Sequence, residues 1–197
     1  MSIDGRIAIS DLTFAGDPVN SSTVHDSNKL SSFSSCQWLT TSRVASASLQ
    51  GAVQIWDVRQ LHQKPLPAIQ TLVLPKRIAQ CQPLLCLAIH PGQPHIVTSG
   101  DAGGRIVSWD LRSDKEPACI AYADGNITGL HYSPMSSQLW MTTLTGTIGL
   151  VEETTIHTIF KEPVASIMDF CIPESGMLSD LYALNDQESL IFLANAA

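Results

Sequence analysis

Residues Gly51 to Arg59 read GAVQIWDVR, and fifty-three positions further on the chain reads GRIVSWDLR, from Gly104 to Arg112. In both, a Gly leads a short run of small, apolar and alternating polar residues that ends in Trp-Asp-x-Arg. Two occurrences in the same register predict a repeated structural unit, and a repeat governs the reading of everything else.

Aligned on the leading Gly, the chain offers four anchors, at Gly5, Gly51, Gly104 and Gly146, spaced by 46, 53 and 42 residues. A further step of 42 reaches Glu188, where a polar turn again precedes an apolar run. Before the last four anchors lie RVASASL, HIVTSGD, QLWMTTL and DLYALND, and before those SSCQWL, LLCLAIHP, ITGLHYSP and ASIMDFCIP. A further set, IQTLVL, ACIAY and IHTIF, follows the anchors. These runs are short, in part β-branched or aromatic, and bounded by Gly, Pro, Asp, Asn or Ser, as strands are. Four strands per period of about 45 residues is the arithmetic of a β-propeller blade. No window sustains a helical apolar stripe over three turns, so almost no helix is expected. The Ser-rich stretch from Asn20 to Ser35 reads as a flexible loop.

The signature residues Gly51, Trp56 and Asp57, with Gly104, Trp109 and Asp110, resemble WD40 repeats. That resemblance implies an all-β propeller of four-stranded antiparallel blades, each Trp packing between blades and each Asp turning the chain at a strand end. The units fall at about 1–29, 30–76, 77–124, 125–162 and 163–197, a single partial propeller domain. The pattern is degenerate. The Gly-His dipeptide of many WD40 repeats is missing, with Asp101 placed to supply the acidic member of the network. Val151 and Glu152 stand in the fourth unit's Trp-Asp positions, and the fifth unit retains only Phe192. The strand count is two, then three sets of four, then three, which is not a tidy closed ring. The expectation is a shortened chain whose open edges favour self-association.

The order DGRIAI, GAVQIWDVRQ, CLAIHPGQPHIVTSGDAGGRIVSWDLR and HYSPMSSQLWMTTLTGTI is similar to the C-terminal part of WD40 nucleoporins. This narrower resemblance implies a non-catalytic structural subunit of the Y-shaped scaffold complex of the nuclear pore, with other nucleoporins as partners and the nuclear envelope as its place. A rival resemblance rests on Arg59 and Arg112, which match the Trp-Asp-x-Arg pattern of WD40 substrate receptors for cullin-type ubiquitin ligases. A generic WD40 interaction module is the third reading.

Composition bounds these readings. The 197 residues are 44% hydrophobic and 15% charged, ample for a core. A formal charge of −7 with eleven Lys and Arg argues against a nucleic-acid surface. Apolar runs such as PLLCLAI, from Pro83 to Ile89, fall far short of the ~20 residues of a membrane span, and the opening MSIDGRIAIS does not resemble a secretory signal. Five scattered cysteines, at 36, 81, 86, 119 and 171, read as reduced, buried small apolar residues of an intracellular protein. The sequons at Asn20 and Asn126 matter only in a secreted chain.

No enzyme, metal or cofactor is expected. None of the six His, at 25, 62, 90, 95, 131 and 157, pairs with Cys or carboxylates at zinc spacing, and Cys81-x4-Cys86 has no second half. The Gly-rich GDAGGR, from Gly100 to Arg105, lacks the Lys-Ser/Thr ending of a phosphate loop and reads as a hairpin turn. Trp38 and Trp140 lie within predicted strands and read as core.

Overall fold

The period of the sequence becomes sheets in the computed structural model, which describes residues 6–9, 22–25, 32–60, 68–76, 80–113, 116–173 and 180–193. A two-stranded sheet, β1 (Arg6–Ile9) with β2 (Ser22–His25), comes first. Three four-stranded sheets follow, each in simple chain order. Blade 1 comprises β3 (Phe33–Thr40), β4 (Arg43–Ser48), β5 (Ala52–Asp57) and β6 (Gln70–Val73). Blade 2 comprises β7 (Leu84–Ile89), β8 (Ile96–Asp101), β9 (Arg105–Asp110) and β10 (Pro117–Tyr122). Blade 3 comprises β11 (Ile127–Tyr132), β12 (Leu139–Thr143), β13 (Thr147–Glu152) and β14 (Thr155–Lys161). The last sheet holds β15 (Ile167–Cys171), β16 (Leu181–Asn185) and β17 (Leu190–Leu193). Every pairing is antiparallel, and the single helical element among the described residues is a 3-10 turn at Val58–Gln60. This is an open β-propeller.

The first strands lie side by side, β3 against β7, β7 against β11 and β11 against β15, so the blades radiate from a shared inner wall. Each carries a bulge at its start, at Phe33/Ser35, Leu84/Cys86, Ile127/Gly129 and Ile167/Asp169. A bulge increases local twist, which is what an inner strand needs to lead into a blade.

Period-two alternation gives each blade two faces, and the cores lie between blades. Ala45, Ala47, Val53 and Ile55 of blade 1 meet Leu87, Val97, Val107 and Trp109 of blade 2. Blade 2 turns Cys86, Ala88 and Ile106 toward Ile127, Leu130, Leu139 and Met141 of blade 3. Blade 3 turns Trp140, Ile148 and Leu150 toward Ile167, Phe170, Leu181 and Ala183 of the last sheet.

The second-to-third-strand turns repeat in detail. Gly51, Gly104 and Gly146 adopt φ of 82°, 79° and 81°, and Glu188 occupies the fourth equivalent place at φ 59°. A buried polar side chain holds each turn by accepting the backbone N–H four residues on. The four pairs are Ser48 with Ala52 (3.2 Å), Asp101 with Arg105 (2.9 Å), Thr143 with Thr147 (3.1 Å) and Asn185 with Ser189 (2.8 Å). Four different residues do one job because each offers a short side-chain oxygen.

Several expectations are corrected. Asn20–Ser35 is not one loop: β2 occupies Ser22–His25, where Thr23 and Val24 favour a strand, and β3 begins at Phe33. Trp38 is 55% exposed, because the side of β3 toward blade 2 is that of Gln37 and Leu39. Trp140, by contrast, is 1% exposed in the core between blade 3 and the last sheet. Cys36, Cys81 and Cys171 are exposed, Cys119 is half-buried, and Cys86 alone is buried. In the last sheet the position equivalent to Trp109 is Leu193, packed on the core, while Phe192 is 52% exposed on the opposite face.

Candidate protein-interaction surfaces

The Trp-Asp positions are built alike in the first two blades. Trp56 and Trp109 are 1% and 3% exposed, five residues after the turn Gly; Trp109 packs on the core shared with blade 1, and Trp56, on the equivalent face of its own blade, meets Phe33 edge-on. Each indole N–H donates to a Ser hydroxyl ten residues earlier, Trp56 to Ser46 at 2.8 Å and Trp109 to Ser99 at 3.4 Å. Blade 3 replaces both members together, with Met141 in the Ser position and Val151 in the Trp position, and both pack on the apolar core.

Asp101 does not reach Trp109. Its carboxylate accepts the backbone N–H of Gly103 and Arg105 and the Nε–H of Arg105 at 2.6 Å, an almost fully buried ion pair inside the turn.

At the opposite end of the blades, Asp57 and Asp110 fold Arg59 and Arg112 back onto themselves. Arg59 donates its backbone N–H, Nε–H and Nη2–H to Asp57 at 3.0, 2.9 and 2.5 Å. Arg112 does the same to Asp110 at 2.9, 3.0 and 2.8 Å. The hydrogen-bonded guanidinium holds each carboxyl down at about 2, and the carboxylates raise both Arg. Both guanidiniums stay 67% exposed. With two side-chain N–H groups committed, three of the five on each Arg remain available.

Three surfaces offer recognition chemistry. Between blades 1 and 2, at the Asp-x-Arg end, lies a cleft of about 230 Å³ with Leu39, Ile55, Ile69 and Leu111 as its floor and Arg43 and Arg112 at its rim. Along the inner strands lies a polar hollow of about 250 Å³ bordered by Gln37, Thr128, His131 and Asp169. There His131 Nε2 stands 3.8 Å from Asp169 Oδ1, and that contact lowers the Asp169 carboxyl. The third surface is the outer face of the last sheet, where Leu184, Leu190 and Phe192 are exposed and Phe192 stacks on Tyr182 at 4.9 Å.

The boundary between blades 2 and 3 differs from its neighbours. Thr98 Oγ1 shares hydrogen bonds with Ser108 Oγ at 3.0 Å and Tyr132 Oη at 2.8 Å. Ala45, Ile55 and Ile89 hold the equivalent places one blade earlier, and Trp140, Leu150 and Ile172 one blade later. A hydroxyl triad thus stands where the other two boundaries are apolar.

Charge is divided along the chain. Residues 38–115 carry eight Lys and Arg against four Asp and Glu, whereas residues 116–197 carry one against ten. Among the described residues no group of three or more His, Cys, Asp or Glu gathers as metal ligands do, and no helix is long and apolar enough to cross a membrane. Arg59 and Arg112 sit at equivalent corners of consecutive blades. Sequence reading passed over Arg43 and the cleft it borders, because Leu39, Ile69 and Leu111 converge only through the packing of two blades.

No family model matches the chain. Over 136 residues it is 26% identical to nucleoporin Nup43 of Homo sapiens, covering 68% of this chain and 33% of that protein. It is 30% identical over 71 residues to the nuclear pore complex protein nup43 of Dictyostelium discoideum, covering 36% and 15%. It is also 32% identical over 93 residues to the target of rapamycin complex subunit LST8 of Mus musculus, covering 44% and 23%. The chain thus matches about a third of the length of the human nucleoporin.

Proposed function

We propose that this chain is a non-catalytic scaffold element of the nuclear pore, a WD40 nucleoporin acting within the Y-shaped subcomplex that supports nucleocytoplasmic transport of protein and mRNA. The observation that carries the reading is the similarity to Nup43 over two thirds of the chain. The geometry agrees with a holding role. Inter-blade cores make a stiff frame, and the chemistry available outside them is that of recognition: exposed Arg corners, an apolar cleft and an apolar outer sheet face. Partners are other proteins, the nucleoporins of that subcomplex, and the outer face of the last sheet also offers a route to self-association.

The test is tagging of the chain in its own cells, with microscopy and affinity capture. Staining of the nuclear rim with recovery of other nucleoporins is expected. Diffuse staining with no nucleoporin recovered overturns the reading.

A second reading has its own observation: Arg59 and Arg112 present equally exposed guanidiniums at equivalent corners of adjacent blades, the layout of a receptor for a cullin-type ligase adaptor. Capture of the adaptor, lost on Arg59→Ala and Arg112→Ala, is its expected outcome.

A further inference from the structure

We propose that the cleft between blades 1 and 2 binds a short acidic segment of a partner protein, an apolar side chain seated on the aliphatic floor and flanking carboxylates meeting Arg43 and Arg112. This inference does not depend on the pore reading.

The floor comes from both blades: Leu39, Ile55 and Ile69 from blade 1 and Leu111 from blade 2. Ile69 is 43% exposed, an apolar residue left open where the neighbouring inter-blade space is filled. At the next boundary Tyr132, hydrogen-bonded to Thr98, holds the place that Ile89 holds here. Its volume of about 230 Å³ lies below the roughly 300–1,000 Å³ of small-molecule pockets, which suits one or two peptide side chains rather than a cofactor.

Charge fixes the rest of the peptide. The rim is cationic, with Arg43 exposed and Arg112 retaining three side-chain N–H donors, and no Asp or Glu lines the cleft. In a chain of net charge −7, Arg43 and the three donors that Arg112 keeps beside its Asp110 pair stand over an apolar floor, and this favours carboxylates flanking an apolar anchor. Gln70, also on the wall, donates to the Leu111 carbonyl at 3.5 Å and keeps its side-chain oxygen for a peptide N–H. Nucleic acid fits less well, because no Phe, Tyr or Trp lines the cleft for a base to stack on.

The probe is a fluorescein-labelled octapeptide with three acidic residues on each side of a central Leu-Phe, titrated with the 197-residue chain by anisotropy. Saturable binding is expected, weakening as salt rises. Arg43→Glu and Arg112→Glu should each weaken it by about tenfold or more, as should replacing the central Leu-Phe by Ala-Ala. Lys76→Glu, the same charge change at another exposed site, should alter it by less than about twofold. Circular dichroism of each variant separates lost binding from lost folding. Absence of saturable binding, equal losses for Lys76→Glu and the two Arg variants, or tighter binding of a twelve-nucleotide oligothymidine would overturn the proposal.

Discussion

The indole N–H of Trp56 donates to the hydroxyl of Ser46 at 2.8 Å, deep in blade 1, and the Ser46 hydroxyl in turn donates to the Gln54 carbonyl. Ser46→Ala strands a buried indole N–H, so a loss of about 1–3 kcal/mol is expected, read as a lower urea midpoint with unchanged slope. Ser99→Ala should cost less, because the equivalent bond to Trp109 is 3.4 Å long. Equal midpoints for Ser46→Ala and the parent chain would show that the bond contributes nothing.

Glu188 holds a left-handed conformation that the three equivalent positions give to Gly. A non-Gly residue there costs about 1–2 kcal/mol, partly offset in a Gly variant by greater freedom of the unfolded chain. Glu188→Gly should therefore stabilise by up to about 1 kcal/mol. Gly104→Ala should destabilise by more than about 2 kcal/mol, since its Cβ would also stand 2.8 Å from the Ala123 carbonyl oxygen. Thermal denaturation of the two variants reads opposite signs.

Asp57 and Asp110 titrate at about 2 in the folded chain, below their ordinary value of 3.8. Their ion pairs stabilise the fold above the unfolded carboxyl value, and that contribution is lost as pH falls from about 4 to about 2. Carbon-13 titration of the two carboxyls should report the low values, with Arg59→Ala and Arg112→Ala returning each Asp toward the ordinary range. If the Arg variants leave the carboxyls low, the guanidinium is not the cause.

The hydroxyl triad of Thr98, Ser108 and Tyr132 invites a swap. Tyr132→Phe alone should cost about 1 kcal/mol through a lost hydrogen bond. Replacing all three by their counterparts one blade earlier, as Thr98→Ala, Ser108→Ile and Tyr132→Ile, removes every polar member at once. The triple variant should lie within about 2 kcal/mol of the parent, a smaller loss per site than the single change. Chemical denaturation of both variants decides it.

Burial pushes the Cys86 thiol up to about 12, whereas Cys36, Cys81 and Cys171 are exposed. A thiol reagent at neutral pH should label those three in the native chain and reach Cys86 only on unfolding. Mass spectrometry of peptides from labelled protein gives the pattern directly, and early labelling of Cys86 would contradict its placement.

Most of the fold was legible because a propeller writes its period into the chain: strand runs, turn Gly residues and Trp-Asp endings recur at fixed offsets. Even the step to Glu188 located a turn without its glycine. Trp38 was misread because lying in a strand does not say which face a residue takes, and Gln37 and Leu39 hold the side toward blade 2. Phe192 was misread because one position in a strand decides the face, and its neighbour Leu193 is the inward one. The turn-holding quartet of Ser48, Asp101, Thr143 and Asn185 escaped notice because chemically different residues share one geometry. The cleft at Arg43 was invisible for another reason: its floor joins residues from two blades up to 72 positions apart, Leu39 to Leu111.

The uneven distribution of acidic and basic residues gives the molecule an electrical polarity greater than its net charge suggests. During diffusional encounter a charged neighbour exerts a torque on it as well as a pull, turning the acidic blade 3 and last sheet toward a cationic surface. Orientation is thus partly set before any contact forms, and dilute buffer should quicken productive collisions far more than concentrated buffer does.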